Sequence, residues 1–335
     1  SSPKNINGNS TSVEIIGVSS TAKVTLSSGL FNSGTIAASA SSDTTATSTP
    51  PIVSGLLIGN FVNIGESNGY AITNSDNGAA AGATSGVGTI SATYSGGSPG
   101  IATGIAIDAN STVPSLLNEG TISASATTTD TTLSSLTAVG ILDQSGKLLH
   151  INNSGTISAQ AYAVVNGVAT QLDNRKNIAQ AINLANASGA ITLENTGTIL
   201  GDVVLGGDND TFSTVGTSGQ RAVVTGNINL GGGDDVLQVG KYSTITGDVL
   251  ENVGGTVNIT VAASGTLAIT NNGQTSGGLA IPSGTLRNLR VSNLDVKNGG
   301  ALSLTLADGF NINRTGSAGP IVQASSSTAV INLES

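Results

Sequence analysis

The residues that could carry out nucleophilic catalysis are few. Gly65–Gly69 (GESNG) fits the pattern G-x-S-x-G, and Ser67, Asp143 and His150 occur in the Ser, Asp, His order of the α/β-hydrolases. That nucleophile pattern needs a strand, a sharp turn and then a helix. Tyr70–Asn74 (YAITN) instead has the alternation of a further strand, so we interpret Ser67 as a turn residue and assign no catalytic residue.

His150 is the only histidine in the chain, and cysteine is absent. A single histidine cannot form a His-rich metal site, and a chain without cysteine has neither disulfides nor thiol chemistry. His150 lies in KLLHINNSG, at the end of a strand and just before a turn. We therefore expect it to be a solvated or stacked surface residue.

Two acidic turns are the strongest candidates for a metal site. Leu205–Phe212 (LGGDNDTF) and Leu230–Leu237 (LGGGDDVL) start 25 residues apart, a spacing that would stack them in neighbouring coils. Stacked carboxylates repel each other, and Ca²⁺ would offset that repulsion. The four calcium candidates are Asp208, Asp210, Asp234 and Asp235.

The spacing of these turns departs from that of a known calcium motif. Before the aspartate, both turns are one residue shorter than the calcium-binding nonapeptide, and the first turn also lacks the third glycine. The alternative is that the aspartates are ordinary turn residues pointing into solvent. We favour this alternative, and Ca²⁺ is the only cofactor for which the sequence offers a candidate site.

The composition excludes several classes of protein. Charged residues make up 9% of the chain, against about 25% in an ordinary globular domain. Val, Ile and Thr recur throughout, which argues against disorder. The net charge of −9 disfavours nucleic acid and anionic lipid as partners. No apolar run approaches the roughly 18 residues of a membrane helix, so we predict no transmembrane segment in this chain.

Internal repeats determine the predicted fold. A Gly-Thr-Ile phrase occurs five times, and its glycines are Gly34, Gly88, Gly120, Gly155 and Gly197. Beyond them a tighter rhythm starts at Gly201, Gly226 and Gly247. Repeats of about 20–50 residues are typical of stacked-coil architectures. Because each isoleucine follows Gly-Thr in an alternating strand, five side chains should face the interior: Ile36, Ile90, Ile122, Ile157 and Ile199.

These patterns predict an all-β fold, a right-handed parallel β-helix (β-solenoid) that forms a single elongated body with inserted loops. Residues 1–200 should form irregular coils with insertions, and residues 201–335 more regular coils. We expect asparagines in successive coils to stack and bond along the axis, with Asn152–Ser154 forming a turn. The predicted loops are Ala40–Pro51, Ser95–Gly100 and Ala126–Ser135.

Several segments resemble the passenger domains of bacterial type V autotransporters. They are Asn152–Gln160, Glu194–Phe212, Gly226–Leu237, and the C-terminal runs Leu289–Leu306 and Ser325–Ser335. The resemblance covers most of the chain and is strongest from about residue 115 onward. It implies secretion through the outer-membrane barrel of the same precursor and display on the cell surface of a Gram-negative bacterium. The C-terminal runs would then be the last passenger coils.

The expected function is a cell-surface structural or adhesive passenger that acts through the faces and loops of the solenoid and is not an enzyme. Its partners would be other copies of itself, or host and cell-surface glycans or proteins. A polysaccharide-active β-helix enzyme is one alternative, although eight aromatic residues and 11 basic residues offer little material for such a site. A subunit of a surface lattice or filament is the other alternative.

Overall fold

The computed structural model describes residues 10–42, 50–75, 88–130, 136–172, 178–250, 255–269, 287–307, 310–314, 320–323 and 328–334. Within these ranges the fold is all-β, with 61% strand and no helix. The strands, numbered in chain order, form three long sheets that we call faces 1, 2 and 3. Successive strands of one coil pass from face 1 to face 2 and then to face 3.

Face 1 is an eight-stranded sheet formed by β1 Ser10–Ile15, β5 Ile52–Ile58, β9 Ile101–Ile107, β12 Thr137–Asp143, β16 Ala179–Asn183, β19 Asp202–Val204, β22 Ile228–Asn229 and β25 Val249–Leu250. A separate two-stranded sheet pairs β2 Val24–Leu26 with β6 Val62–Ile64.

Face 2 has eleven strands: β3 Leu30–Asn32, β7 Ile72–Asn74, β10 Ser115–Asn118, β13 His150–Asn153, β17 Thr192–Asn195, β20 Thr211–Thr214, β23 Asp234–Val239, β26 Thr256–Val261, β28 Arg287–Val296, β30 Phe310–Arg314 and β31 Pro320–Gln323. All neighbours in this sheet are parallel except β30 and β31.

Face 3 also has eleven strands: β4 Thr35–Ser42, β8 Thr89–Gly96, β11 Thr121–Thr128, β14 Thr156–Val165, β15 Val168–Gln171, β18 Thr198–Leu200, β21 Ala222–Thr225, β24 Ser243–Gly247, β27 Thr266–Ile269, β29 Ala301–Ala307 and β32 Thr328–Glu334. Two strands are antiparallel to their neighbours, namely β15 on β14 and β32 on β29.

The pairing of each strand with its equivalent in the next coil confirms the predicted parallel β-solenoid. On face 3, β14 pairs with β11 on one side and with β18 on the other, and the sheet continues past residue 200 without a break. At the end of the sheet, β32 pairs antiparallel with β29 and covers its edge. Covering an edge in this way prevents unpaired backbone groups from recruiting other strands.

The interior consists of columns of apolar side chains that run along the solenoid axis, and the longer strands contribute to more than one column. Of the five isoleucines predicted to face inward, four are completely buried, whereas Ile36 in the first coil is partly buried and packs against the core. The register pairs Ile122 with Ile90 and Ile157. The prediction for these side chains is therefore confirmed. It holds because a period-two strand places every second residue on the same side.

Asparagines form a ladder along the solenoid axis at the ends of the face 2 strands. The side-chain amide of Asn118 donates to Asn153 at 2.7 Å, and that of Asn153 donates to Asn195 at 2.8 Å. Asn32 and Asn74 extend the ladder in the preceding coils. The predicted stacking is confirmed, but the predicted turn Asn152–Ser154 is wrong for its first two residues, because Asn152 and Asn153 both belong to strand β13.

Close stacking of the coils explains the glycine before Thr-Ile in the later copies of the repeat, although Gly34 in the first copy has no atom within 4 Å of a Cβ position. A Cβ atom on Gly155 would lie 2.0 Å from the carbonyl oxygen of Gly120, and one on Gly197 would lie 2.1 Å from that of Gly155. Carbon and oxygen cannot approach so closely, so any larger residue would push the two coils apart. Here glycine is needed for contact between coils, not for an unusual backbone angle.

The predicted loops are shorter than expected. Strand β8 extends to Gly96, strand β11 to Thr128 and strand β4 to Ser42, so the first residues of all three predicted loops are in strands. The sequence did not reveal that these residues alternate between inward and outward positions, because the inward side chains are small. Ala40 and Ala126 are examples, and both belong to a second buried cluster. The remaining parts of two of these loops, residues 43–49 and 131–135, lie outside the described residues.

Candidate functional site

The GESNG motif is a tight turn and not a nucleophile elbow. Asn68 and Gly69 have φ angles of 54° and 86°, and the backbone amides of Ser67 and Tyr70 each donate to the other residue's carbonyl oxygen. Positive φ at both central residues is characteristic of a two-residue hairpin turn, for which Asn-Gly is the preferred pair. The chain then continues into strand β7, which confirms the predicted strand.

Asp143 and His150 have partners other than Ser67. The buried Asp143 carboxylate accepts hydrogen bonds from the backbone amides of Ser145 at 2.9 Å and Leu148 at 3.0 Å. The His150 ring packs on Tyr70 with a centroid distance of 5.4 Å, and its Nε2 atom lies 3.7 Å from a Glu194 carboxylate oxygen. The interpretation of His150 as a stacked surface residue is therefore confirmed.

The four calcium candidates separate into a buried pair and an exposed pair. Asp210 and Asp235 are each 1% exposed, whereas Asp208 and Asp234 are exposed to solvent. The expectation that all four point into solvent is therefore wrong for Asp210 and Asp235. The signal that could have shown this is their separation of 25 residues, the same offset that pairs the residues after them, Thr211 of β20 and Val236 of β23.

The buried pair holds the turns of neighbouring coils together. The Asp210 carboxylate accepts from the backbone amides of Ile191 at 2.7 Å and Gly206 at 3.1 Å. Asp235 accepts from the backbone amide of Asp210 at 2.8 Å. Burial raises the pKa of Asp210 to about 6 and that of Asp235 to about 7, because a desolvated carboxylate loses its hydration. The role of these two side chains is structural, because their hydrogen bonds connect neighbouring coils.

A second column of polar residues was missed by the sequence analysis. Asp202 is buried, and one of its carboxylate oxygens accepts from both the backbone and the side-chain amide of Asn227, at 2.8 and 2.9 Å. Burial, with a smaller contribution from the charge of Asp248, raises the pKa of Asp202 to about 7 although the hydrogen bonds from Asn227 lower it. The repeated Gly-Asp, Gly-Asn and Gly-Asp pairs that start at Gly201, Gly226 and Gly247 were the available signal.

The geometry gives no support to one shared calcium site. In the ranges that the structure describes, which include both acidic turns, no three acidic or histidine side chains converge as metal ligands. The inward carboxylates already accept hydrogen bonds from backbone amides, and the outward ones, Asp208 and Asp234, face solvent.

Removal of calcium should leave the melting temperature unchanged. We expect the same unfolding transition in EDTA and in excess Ca²⁺, because the oxygens of Asp210 bond to backbone amides and not to an ion. Thermal melts followed by circular dichroism provide the measurement, with Asp208→Asn as the control for an exposed carboxylate. A calcium-dependent rise of many degrees that disappears in this variant would show that the turns do bind the ion.

The outward surface of face 3 is a flat array of hydroxyl groups. One register column carries threonine at seven of nine parallel strands: Thr35, Thr89, Thr121, Thr156, Thr198, Thr244 and Thr266. The two other positions are Val223 and Ala301. Up to Ser303, where the description of side chains on this face ends, no outward position of these strands carries a charge. Arg221, in the turn before β21, donates a hydrogen bond to the hydroxyl group of Thr244 in this column at 3.1 Å.

A groove and a cleft open on the surface of the described part of the chain. A groove of about 370 Å³ at one edge of face 3 is lined by hydroxyl side chains, among them Ser41, Ser95 and Thr127. A cleft of about 180 Å³ on face 2 lies between Phe31 and Tyr70. No acidic, basic or histidine side chain lines either cavity, so neither has the paired groups that general acid and base catalysis requires.

Among the described residues, no helix has the length and apolar character needed to cross a bilayer. Comparison of the chain with protein-family models, curated proteins and solved structures finds no match.

Proposed function

We propose that this protein is a structural and adhesive β-solenoid that acts at a bacterial cell surface by lateral association of its copies through face 3. The resemblance of its repeats to autotransporter passengers supports the location. The observation that carries the proposal is the uncharged hydroxyl array of face 3, which continues over nine parallel strands.

Charge favours face 3 as the surface of contact. The chain has a net charge of −9, so two copies repel each other wherever their acidic surfaces meet. Outward acidic residues lie on the other faces, such as Glu14 on face 1 and Glu194 on face 2. Two copies that meet through face 3 bring no carboxylates of its strands together.

The surface chemistry of face 3 suits many weak contacts. Its threonine and serine hydroxyls are both donors and acceptors, and the threonine methyl groups add apolar area. Coils are about 4.8 Å apart in a stacked sheet, so two such faces present hydroxyl rows with the same repeat. Each contact contributes little, and affinity would depend on the number of coils that align.

Sedimentation velocity tests this proposal on the purified chain. We expect concentration-dependent association that strengthens with salt, since the Debye length falls from about 30 Å at 0.01 M to about 10 Å at 0.1 M. The double variant Ser123→Glu/Thr156→Glu should remain monomeric, because it places two like charges on neighbouring strands of face 3, β11 and β14.

The matched control carries the same charges on face 2. In Ser213→Glu/Gln238→Glu both substitutions lie at outward positions paired between β20 and β23. This control should associate almost as well as the unmodified chain. Equal loss of association in both double variants would mean that net charge matters and face 3 does not, and the proposal would then be abandoned.

A further inference from the structure

Two of the eight aromatic residues of the chain meet at one small cleft, although they are 39 positions apart in sequence (70 − 31). The cleft is lined by Phe31 and Tyr70, and we call it the Phe31–Tyr70 cleft. Phe31 is 52% exposed, an unusual state for a large apolar side chain beside a cavity. By contrast, Tyr94 and Phe212 are completely buried in the core.

Neighbouring residues hold Tyr70 in position. The His150 ring packs against it at 5.4 Å with a tilt of 31°, and Glu194 lies 3.7 Å from the far nitrogen of His150. Tyr70 closes the two-residue turn at Asn68 and Gly69, which fixes its backbone. An aromatic side chain held in this way costs little conformational entropy when a ligand binds.

The cleft combines apolar and hydrogen-bonding walls. Two rings and Leu117 supply the apolar area, whereas hydroxyl and amide groups stand around them. The hydrogen-bonding side chains are Ser28, Ser67, Asn68 and Thr73. A wholly apolar ligand would leave these polar groups without partners. A flat ring with an apolar face and hydroxyl groups at its edge suits this lining. Its apolar face can stack on the aromatic rings, and its hydroxyl groups can bond to the polar side chains.

Charge and size narrow the class of ligand. Glu66 is next to the lining residue Ser67 in sequence, and Glu194 lies 3.7 Å from His150, whose ring packs on Tyr70, so two carboxylates are close neighbours of lining residues. They oppose an anionic ligand, as does the overall charge of −9. The volume of about 180 Å³ is below the roughly 300–1,000 Å³ of sites for drug-sized molecules. The space therefore suits a single sugar ring.

We propose that the Phe31–Tyr70 cleft binds one ring of a neutral saccharide, with Phe31 and Tyr70 as the stacking platform and Asn68 and Thr73 as hydrogen-bonding partners. This inference deepens the proposed adhesive function and rests on it, because it names a class of partner for the side of the solenoid that self-association does not use. It assigns specificity to face 2 and lateral association to face 3.

Saturation-transfer NMR with neutral and acidic sugars tests the site. The probes are lactose, maltose and N,N′-diacetylchitobiose, with 3′-sialyllactose as the acidic counterpart. We expect at least one neutral probe to bind with a dissociation constant of roughly 1–10 mM, as is reasonable for a small open site. Sialyllactose should bind more weakly than lactose because of the nearby carboxylates.

Variants separate the cleft from other aromatic surfaces. Phe31→Ala should weaken binding by about tenfold, the effect of losing one stacked ring, and should keep the normal melting temperature because Phe31 is exposed. Tyr162→Ala removes an aromatic residue from face 3 and should leave binding unchanged. Absence of binding by every neutral probe, or unchanged binding by Phe31→Ala, would overturn the proposal. Association through face 3 is measured separately and would be unaffected by either result.

Discussion

Replacing Ile157 with aspartate should destabilise the protein by at least about 4 kcal/mol, which is close to the total stability of many domains. Ile157 is completely buried between its register partners Ile122 and Ile199. Removing a buried isoleucine side chain costs about 2–5 kcal/mol, and a buried carboxyl group without a partner adds several more. Urea unfolding followed by circular dichroism measures the loss.

The neighbouring residue provides the control. Ser158 follows Ile157 in the same strand and points outward. Ser158→Asp should therefore change the free energy of unfolding by about 0.5 kcal/mol or less, the usual scale for a surface substitution. Similar losses in the two variants would show that the inward and outward faces of β14 have been wrongly assigned.

Stability should fall as the pH rises from about 4 to about 7. Burial raises the pKa of Asp202 to about 7 in the folded state, whereas an unfolded aspartate has a pKa near 3.9. Between these values the folded chain binds a proton that the unfolded chain has lost. Stability is therefore greatest near and below pH 4 for this group and is lost progressively up to pH 7. Asp235 and Asp210, with pKa values of about 7 and about 6, act in the same direction.

Asp202→Asn should remove this penalty. The asparagine keeps an oxygen that can accept the two hydrogen bonds from Asn227 but carries no charge. At pH 8 we expect a gain of about 2–4 kcal/mol, since each unit of pKa shift corresponds to about 1.4 kcal/mol. Unfolding free energies at pH 5 and pH 8 give the comparison, with exposed Asp208→Asn as the control. Stability that increases with pH in the unmodified chain would contradict the account.

Most of the fold can be predicted from the sequence because the same short sequence pattern recurs in successive coils of the solenoid. Ile90, Ile122 and Ile157 each follow the same Gly-Thr pair, so alternation alone assigns their inward direction. The asparagine ladder was predictable for the same reason, since Asn118 and Asn153 precede equivalent copies of the repeat. Strand ends were less predictable, because serine- and threonine-rich sequence is shared by loops and by the outward rows of face 3.

The candidate sites were harder to predict because they depend on contacts between coils. Aspartates in a glycine-rich turn are typical solvated residues, and only the coil spacing shows that Asp210 and Asp235 stack inside the structure. Phe31 and Tyr70 share no local pattern, and only the stacking of their coils brings them to one cleft. The uncharged surface of face 3 likewise becomes evident only when the register of all its strands is known.

Aggregation of bacteria that display the chain tests the central claim most directly. Cells that carry the unmodified chain on an outer-membrane anchor should clump and settle, and clumping should increase with salt as the repulsion of the acidic surfaces is screened. Cells that display Ser123→Glu/Thr156→Glu at the same density should remain dispersed, and cells that display Ser213→Glu/Gln238→Glu should clump. Clumping that persists when face 3 carries the added charges would contradict the claim that this face joins one copy to the next.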